Sequence, residues 1–235
     1  MIGNLFCAVA NAERGAMTER ETSAPKSRGR PKTFDRQAAL DKALDLFWRH
    51  GYEATSLSDL VEATGAKAPT LYAEFTNKEG LFRAVVDRYI EIYGVQRQDA
   101  LSCKESSVAQ GIERYFRSTA ACFTDGKNPA GCFFICTSTP LSADSTAVAD
   151  MLRSRHKNLE NQLKAFLLAR QASGELDAQT DIVALTSFLA CILQGMSVQA
   201  REGATRHQLD SIIATLMLQW PVLSRTGCEK AIVEN

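Results

Sequence analysis

The chain has 235 residues, with 27 basic and 27 acidic side chains and a hydrophobic share of 45%. That length allows one large or two small domains with a sizeable core. Balanced charge excludes a uniformly basic coat protein and an acidic disordered chain, but it permits a chain that is basic in one place.

The first sixteen residues read as an extension or as a start placed too early, with Met17 as the other start. Leu5 to Ala10 is too short an apolar stretch for a signal peptide and has no basic residue before it. Residues 1–32 are expected to be a disordered basic arm, since 11–33 are polar, lack a hydrophobic period and contain Pro25 and Pro31. Within it, Lys26, Arg28, Arg30 and Lys32, with Arg36 just beyond, face one acid, Asp35, a local balance of +4.

Helix signals then begin. Asp35 is a good N-cap, and Phe34 before it can staple onto Ala39. Leu40, Ala43, Leu44 and Phe47 recur at spacings of three and four, so an amphipathic helix is predicted up to Gly51. Ser56 and Asp59 form a capping box for a short helix with Leu57, Leu60 and Val61 on its apolar face, closed by Gly65. Pro69 suits the first turn of the next helix, which carries Leu71, Tyr72 and Phe75. Asn77 caps a fourth, with Leu81, Phe82, Val85, Val86, Tyr89 and Ile92 as its apolar set.

Further helices are predicted near 105–124, over 145–173 with a stop at Gly174, over 179–202 and over 206–219. Residues 125–131 break the pattern before the apolar stretch Cys132 to Cys136. No alternating strand pattern of useful length occurs, so the fold class is all-α. No apolar run is long enough to cross a membrane, and no membrane association is expected.

Two short helices joined by a tight glycine turn form a helix-turn-helix, which can lay its second helix in a DNA major groove. Two helices packed in an ordinary bundle would show the same period. The literal residues are more specific. The stretch ALDLFWRHGYEATSLSDLVEATGAKAPTLYAEFTNKEGLFRAVV resembles the DNA-binding domain of the tetracycline-repressor (TetR/AcrR) family. Gly51, Thr55, Gly65, Thr70-Leu71-Tyr72, Phe75 and Asn77-Lys78-Glu79 carry the likeness, over about 60 residues (33–94 as a domain). Lys67 stands where the family often has Ser, and Pro69 where it often has Gly.

The resemblance implies phosphate contacts from Thr55, Ser56, Tyr72 and Lys78, and base-edge contacts from Lys67, Ala68 and Thr70. Arg28-Gly29-Arg30-Pro31, followed by Lys32, is like an AT-hook core, and arginines on such a backbone suit a narrow minor groove. It also implies a ligand-binding and dimerisation domain over 95–225, with 226–235 as a tail. Apolar residues in 182–201 and 209–220 fit two helices per subunit pairing as a four-helix bundle, or simply completing a monomer core. The implied partners are a palindromic double-stranded DNA operator, a second copy of the chain and a metal or small-molecule inducer.

The cysteine count is seven, an odd number, without a CxxC pair. A secreted disulfide framework is therefore not expected, and reduced thiols in the cytoplasm fit better. Cys132 and Cys136 are four apart, and Cys122 precedes the loop before them. Soft thiolates at Cys132 and Cys136 suit Cu(I), or reaction with electrophiles. Buried cysteines also serve as small hydrophobes. Phe133 and Phe134 would instead flank an apolar ligand. His156, on the long helix, reads as a surface residue that could join a site.

NPAGCFFICTSTPLSADS, Gln194-Gly195-Met196-Ser197 and Ala200-Arg201-Glu202-Gly203 extend the likeness to a copper-linked repressor of the family. That likeness implies copper as an effector that lowers DNA affinity at an outer-envelope gene. No cofactor is expected to be required. No nucleophile–base motif, phosphate loop or HExxH motif occurs, so no catalytic residue is assigned.

Overall fold

The computed structural model describes residues 34–102, 107–138 and 141–225, without the side chains of 95–98. The predicted arm, with Arg28, Arg30 and Lys32, and the tail from 226 lie outside the described residues. Those residues form helices α1 (Arg36–Ala54), α2 (Leu57–Thr64), α3 (Ala68–Phe75), α4 (Lys78–Ser102), α5 (Val108–Phe123), α6 (Phe133–Ser138), α7 (Thr146–Ala172), α8 (Ile182–Arg201) and α9 (Arg206–Leu223). No strand occurs among them.

Local chemistry sets the helix ends. The Asp35 carboxylate accepts the Ala38 N–H at 3.0 Å and opens α1. Ser56 with Asp59 opens α2, Ser107 with Gln110 opens α5, and Thr205 with Gln208 opens α9, each as a reciprocal capping box. Each cap of this kind contributes about 1 kcal/mol. Gly174, at φ 80°, follows α7 where the sequence predicts its stop.

Helix α1 departs from expectation at its end. Gly51 adopts φ 81° and ψ 171°, which breaks the hydrogen-bond ladder, yet another turn follows to Ala54. The glycine is thus a kink inside the element, and it is buried.

The core is continuous from the first helix to the last. Helix α1 contributes Leu40, Ala43, Leu44, Phe47 and Trp48, which pack against α4. From α6, Phe133 enters this layer, with ring centroids 6.1 Å from Trp48, 5.7 Å from Phe82 and 5.2 Å from Tyr89. Such offset and edge-on pairs add to the burial of their area. The expected domain boundary at residue 94 falls within α4, which runs on to Ser102 and packs on both α1 and α5. The described residues therefore pack as one unit.

Phe133 is fully buried between both halves. Phe133→Ala is expected to lower unfolding stability by about 3–5 kcal/mol. Chemical denaturation followed by tryptophan fluorescence and by circular dichroism should show one coincident shift.

Candidate nucleic-acid interface

Helices α2 and α3 meet at Gly65, whose φ of 68° lets the chain reverse while its N–H bonds the Val61 carbonyl at 3.0 Å. Helix α3 starts at Ala68 with Pro69 in its first turn. It buries Leu71 and Phe75 and leaves Lys67, Pro69, Tyr72 and Ala73 exposed. Ala68 and Thr70 are half-buried at the same end. Tyr72 is 45% exposed, so it stands outside the core.

A strained turn fixes α3 against α4. Thr76 adopts φ 69° and ψ −53°, and the Asn77 N–H reaches back to the Phe75 carbonyl at 2.7 Å. This three-residue turn is rare and costly for a β-branched residue. It holds because α4 begins immediately: the Asn77 side-chain oxygen accepts the Gly80 N–H at 2.8 Å. A Cβ added at Gly80 would lie 2.0 Å from the Phe75 carbonyl oxygen, so this position requires glycine.

The residues assigned to phosphate fall into two groups. Tyr72 is exposed, whereas the Lys78 ammonium stands 4.4 Å over the Tyr52 ring and donates to the Glu53 carbonyl at 3.4 Å. Burial pushes that ammonium below its usual range, and the nearby Glu53 partly opposes this. Thr55 departs from expectation: it is 1% exposed, and its hydroxyl donates to the Gly51 carbonyl at 2.8 Å. Its side chain is turned inward to the kink. The Ser56 hydroxyl donates to Asp59 at 2.7 Å within the capping box, so it too is engaged in holding α2.

Two contacts bolt this unit to the C-terminal helices. Arg201, at the end of α8, donates to the carbonyls of Trp48 at 3.0 Å and Arg49 at 2.9 Å. Those carbonyls precede the Gly51 kink. In the opposite sense, the Glu53 carboxylate accepts from Ser145 Oγ at 2.6 Å, Ser142 Oγ at 2.8 Å and Ser142 N–H at 2.9 Å, just before α7. The Ser145 hydroxyl and then the two Ser142 donors hold Glu53 down at about 2. Neither residue stood out in the sequence, because their partners lie far along the chain.

The predicted ligand-sensing residues separate. A cavity of about 100 Å³ lies among α5, α6, α7 and α8, and Cys132 lines it. Phe133 belongs to the aromatic core, and Phe134 backs the His156 ring at 6.0 Å. Cys122 is half-buried on α5 and does not line this cavity. Cys132 lies 3.7 Å from the Tyr89 hydroxyl, whereas Cys136 turns to the Ala130 carbonyl at 3.8 Å and lies beside Arg201. Burial pushes the Cys136 thiol up. Among the described residues no group of three or more His, Cys, Asp or Glu side chains is arranged to hold a metal, so the set does not fit a metal centre of three or four ligands. His156 corrects its surface reading: its Nε2 is sealed from solvent and its ring lines the cavity.

Gly80→Ala is expected to cost about 2–3 kcal/mol and to weaken DNA binding, because the turn must open. Thr76→Gly should raise the melting temperature by the equivalent of about 1 kcal/mol, as relief of strain outweighs added unfolded-state freedom. Thermal unfolding of both variants checks this pair. Glu53 ionises lower in the folded chain than its ordinary 4.5. Its contribution is therefore complete above pH 4.5 and fades as pH falls toward 2. Because Glu53 is exposed, Glu53→Gln should lower stability at pH 7 by no more than about 1 kcal/mol and flatten the acid limb of a stability–pH curve.

Comparison with known proteins gives this geometry its context. The family model "Bacterial regulatory proteins, tetR family" matches residues 39–85, and "Tetracyclin repressor-like, C-terminal domain" matches 109–216. The chain is 58% identical over 198 residues to the HTH-type transcriptional repressor ComR of Escherichia coli K12, covering 84% of this chain and 94% of that protein. It is 30% identical over 162 residues to the HTH-type regulator YezE of Bacillus subtilis, covering 68% of this chain and 83% of the relative. Among solved structures, a cysteine variant of the regulator CifR in complex with a 26-base-pair operator duplex superposes with a TM-score of 0.78. The identity there is 36%, over 82% of this chain and 100% of that one. The chain belongs to the tetR family of bacterial regulatory proteins.

Proposed function

We propose that this protein is a cytoplasmic transcriptional repressor that binds a palindromic operator as a homodimer and leaves it when an effector occupies the C-terminal helices. The observation that carries the DNA-binding part is the exposed face of α3, held by the Thr76 turn. The repressor ComR and the DNA-bound CifR variant support the same reading, and these relatives are regulators, not enzymes.

The homodimer rests on α8 and α9. Val183, Phe188 and Val198 on α8 and Leu218 and Val222 on α9 are exposed, Leu218 at 78%. Between the helices lies a groove lined by Phe188, Ile192, Ile212, Leu216 and Val222. By length and composition α8 could cross a membrane, but Leu189, Met196 and Ala200 are buried in this core. A second copy on this face would complete a four-helix bundle and carry two α3 helices toward successive major grooves.

For the effector, a small organic molecule suits the apolar cavity. Cu(I) is the second reading. It has two thiols in its favour, Cys132 and Cys136, one helical turn apart with the Cys136 N–H on the Cys132 carbonyl at 2.9 Å. The raised thiol of Cys136 works against both Cu(I) and electrophile sensing there, since the thiolate is the reactive form.

A salt-titrated gel shift with footprinting on the chain's own or a neighbouring promoter tests the reading. A sequence-selective, symmetric footprint is expected, and its absence at moderate salt contradicts the repressor. Replacing Arg28 and Arg30 by alanine should weaken binding about tenfold and reduce the salt slope by about 2. Adding Cu(I) to the Cys132→Ser, Cys136→Ser double variant decides the effector: release in wild type that the variant loses selects copper.

A further inference from the structure

We propose that Arg36 is a positioning residue for DNA binding: it neutralises Glu74, the acid of α3, and so keeps that helix free of a negative charge that would repel phosphate. The proposal rests on α3 as the DNA-facing helix, the reading given under Proposed function.

Glu74 is out of place by charge. Helix α3 reads APTLYAEF from Ala68 to Phe75 and carries one carboxylate, that of Glu74. Leu71 and Phe75 are buried, whereas Tyr72, Ala73 and Glu74 are exposed. Glu74 follows Thr70 by four residues, so the two share a side of the helix one turn apart. Duplex DNA carries one negative charge about every 1.7 Å along its axis. A bare carboxylate on a helix laid against that surface is repelled.

Arg36 answers this charge from the first turn of α1. Its Nε donates to Glu74 Oε1 at 2.6 Å, across 38 residues of sequence. Its guanidinium carbon also stands 5.3 Å from the centre of the Phe75 ring. A cation over an aromatic face is attracted to it, and a cation near a helix C-terminus matches the helix dipole. These contacts hold one arginine over the end of α3. Guanidinium suits the place, because it stays charged at any working pH and can stack by its plane while donating from its edge.

Two other acids of the unit are engaged at their own helices. Asp59 accepts from Ser56 in the α2 capping box, and Glu79 pairs with Arg83 along α4 at 3.0 Å. The Arg36–Glu74 pair differs from these in joining α1 to the presented helix. Its use is not mainly stability. The two side chains are 48% and 38% exposed, and ion pairs at such exposure contribute little to folding. The field of a duplex, in contrast, sums over many phosphates.

A double-mutant cycle on DNA affinity tests the proposal, with the full chain and a duplex from its own promoter. Arg36→Met is expected to weaken binding about tenfold, because an uncompensated carboxylate then faces the phosphates. Adding Glu74→Gln to that variant should bring affinity back to within about threefold of wild type, since the acid is gone. Glu74→Gln alone should bind as well as wild type or better, and Arg36→Lys, which keeps the charge, should retain most of the affinity. A random-sequence duplex should rank the variants in the same order, because phosphates carry no sequence. Thermal unfolding confirms that each variant is folded. A folded Arg36→Met, Glu74→Gln variant as weak as Arg36→Met overturns the proposal, since Arg36 then acts on phosphate itself or on the fold. Weaker binding by Glu74→Gln alone, or an Arg36→Met effect confined to the promoter duplex, overturns it too, by making the carboxylate a contributor to binding or a reader of bases. If the wild type binds neither duplex, the DNA-binding reading falls and the proposal falls with it.

Discussion

A broken helix end is the constraint on which the molecule depends. Every α-helix leaves its last carbonyls without internal partners. In α1 the break at Gly51 produces that situation inside the packed protein, beside Trp48. Arg201 resolves it from the far end of α8, 153 residues along the chain from Trp48. A cation near a helix C-terminus is also the favourable match to the helix dipole. Each bond contributes on the order of 1 kcal/mol at so exposed a guanidinium, less than the surrounding core. Its value is geometric, because it fixes where α1 stops relative to α8.

Glu53 makes the complementary connection. It lies beyond the kink on α1 and places its carboxylate just before α7, where an anion is favoured. The helix that opens the DNA-binding unit is thus tied at one end to two separate C-terminal helices. Between these ties sits the aromatic layer of Trp48, Tyr89 and Phe133. Dense packing of this kind responds to a perturbation by shifting between discrete arrangements, not by deforming smoothly. Named contacts run from α7 and α8 to α1, and α1 packs against α4, which receives α3 through the Thr76 turn.

Much of this was legible in the sequence where the interactions are local. Asp35, the Ser56–Asp59 box, Gly65, Pro69 and Asn77 act within a few residues, so their spacing announces the helix ends. The fold class followed from the same periods. The ties did not, since nothing near Arg201 or Glu53 indicates a partner many residues distant. At Thr55 a family position does not reveal that the hydroxyl turns inward to Gly51. His156 was read as a surface residue, and only the packing shows its Nε2 sealed from solvent and its ring beside a cavity. The cysteine pair looked coherent at a spacing of four, yet the sulfurs turn to different neighbours.

Arg201 joins α1, and through it the α3 face, to the C-terminal helices. Amide hydrogen exchange with and without operator DNA, on the wild type and on Arg201→Met, tests this connection most directly. Operator binding is predicted to slow exchange at the end of α8 and the start of α7 in the wild type. In Arg201→Met that distant protection should disappear, while protection of α3 remains. Equal protection of α7 and α8 in both proteins would contradict the account.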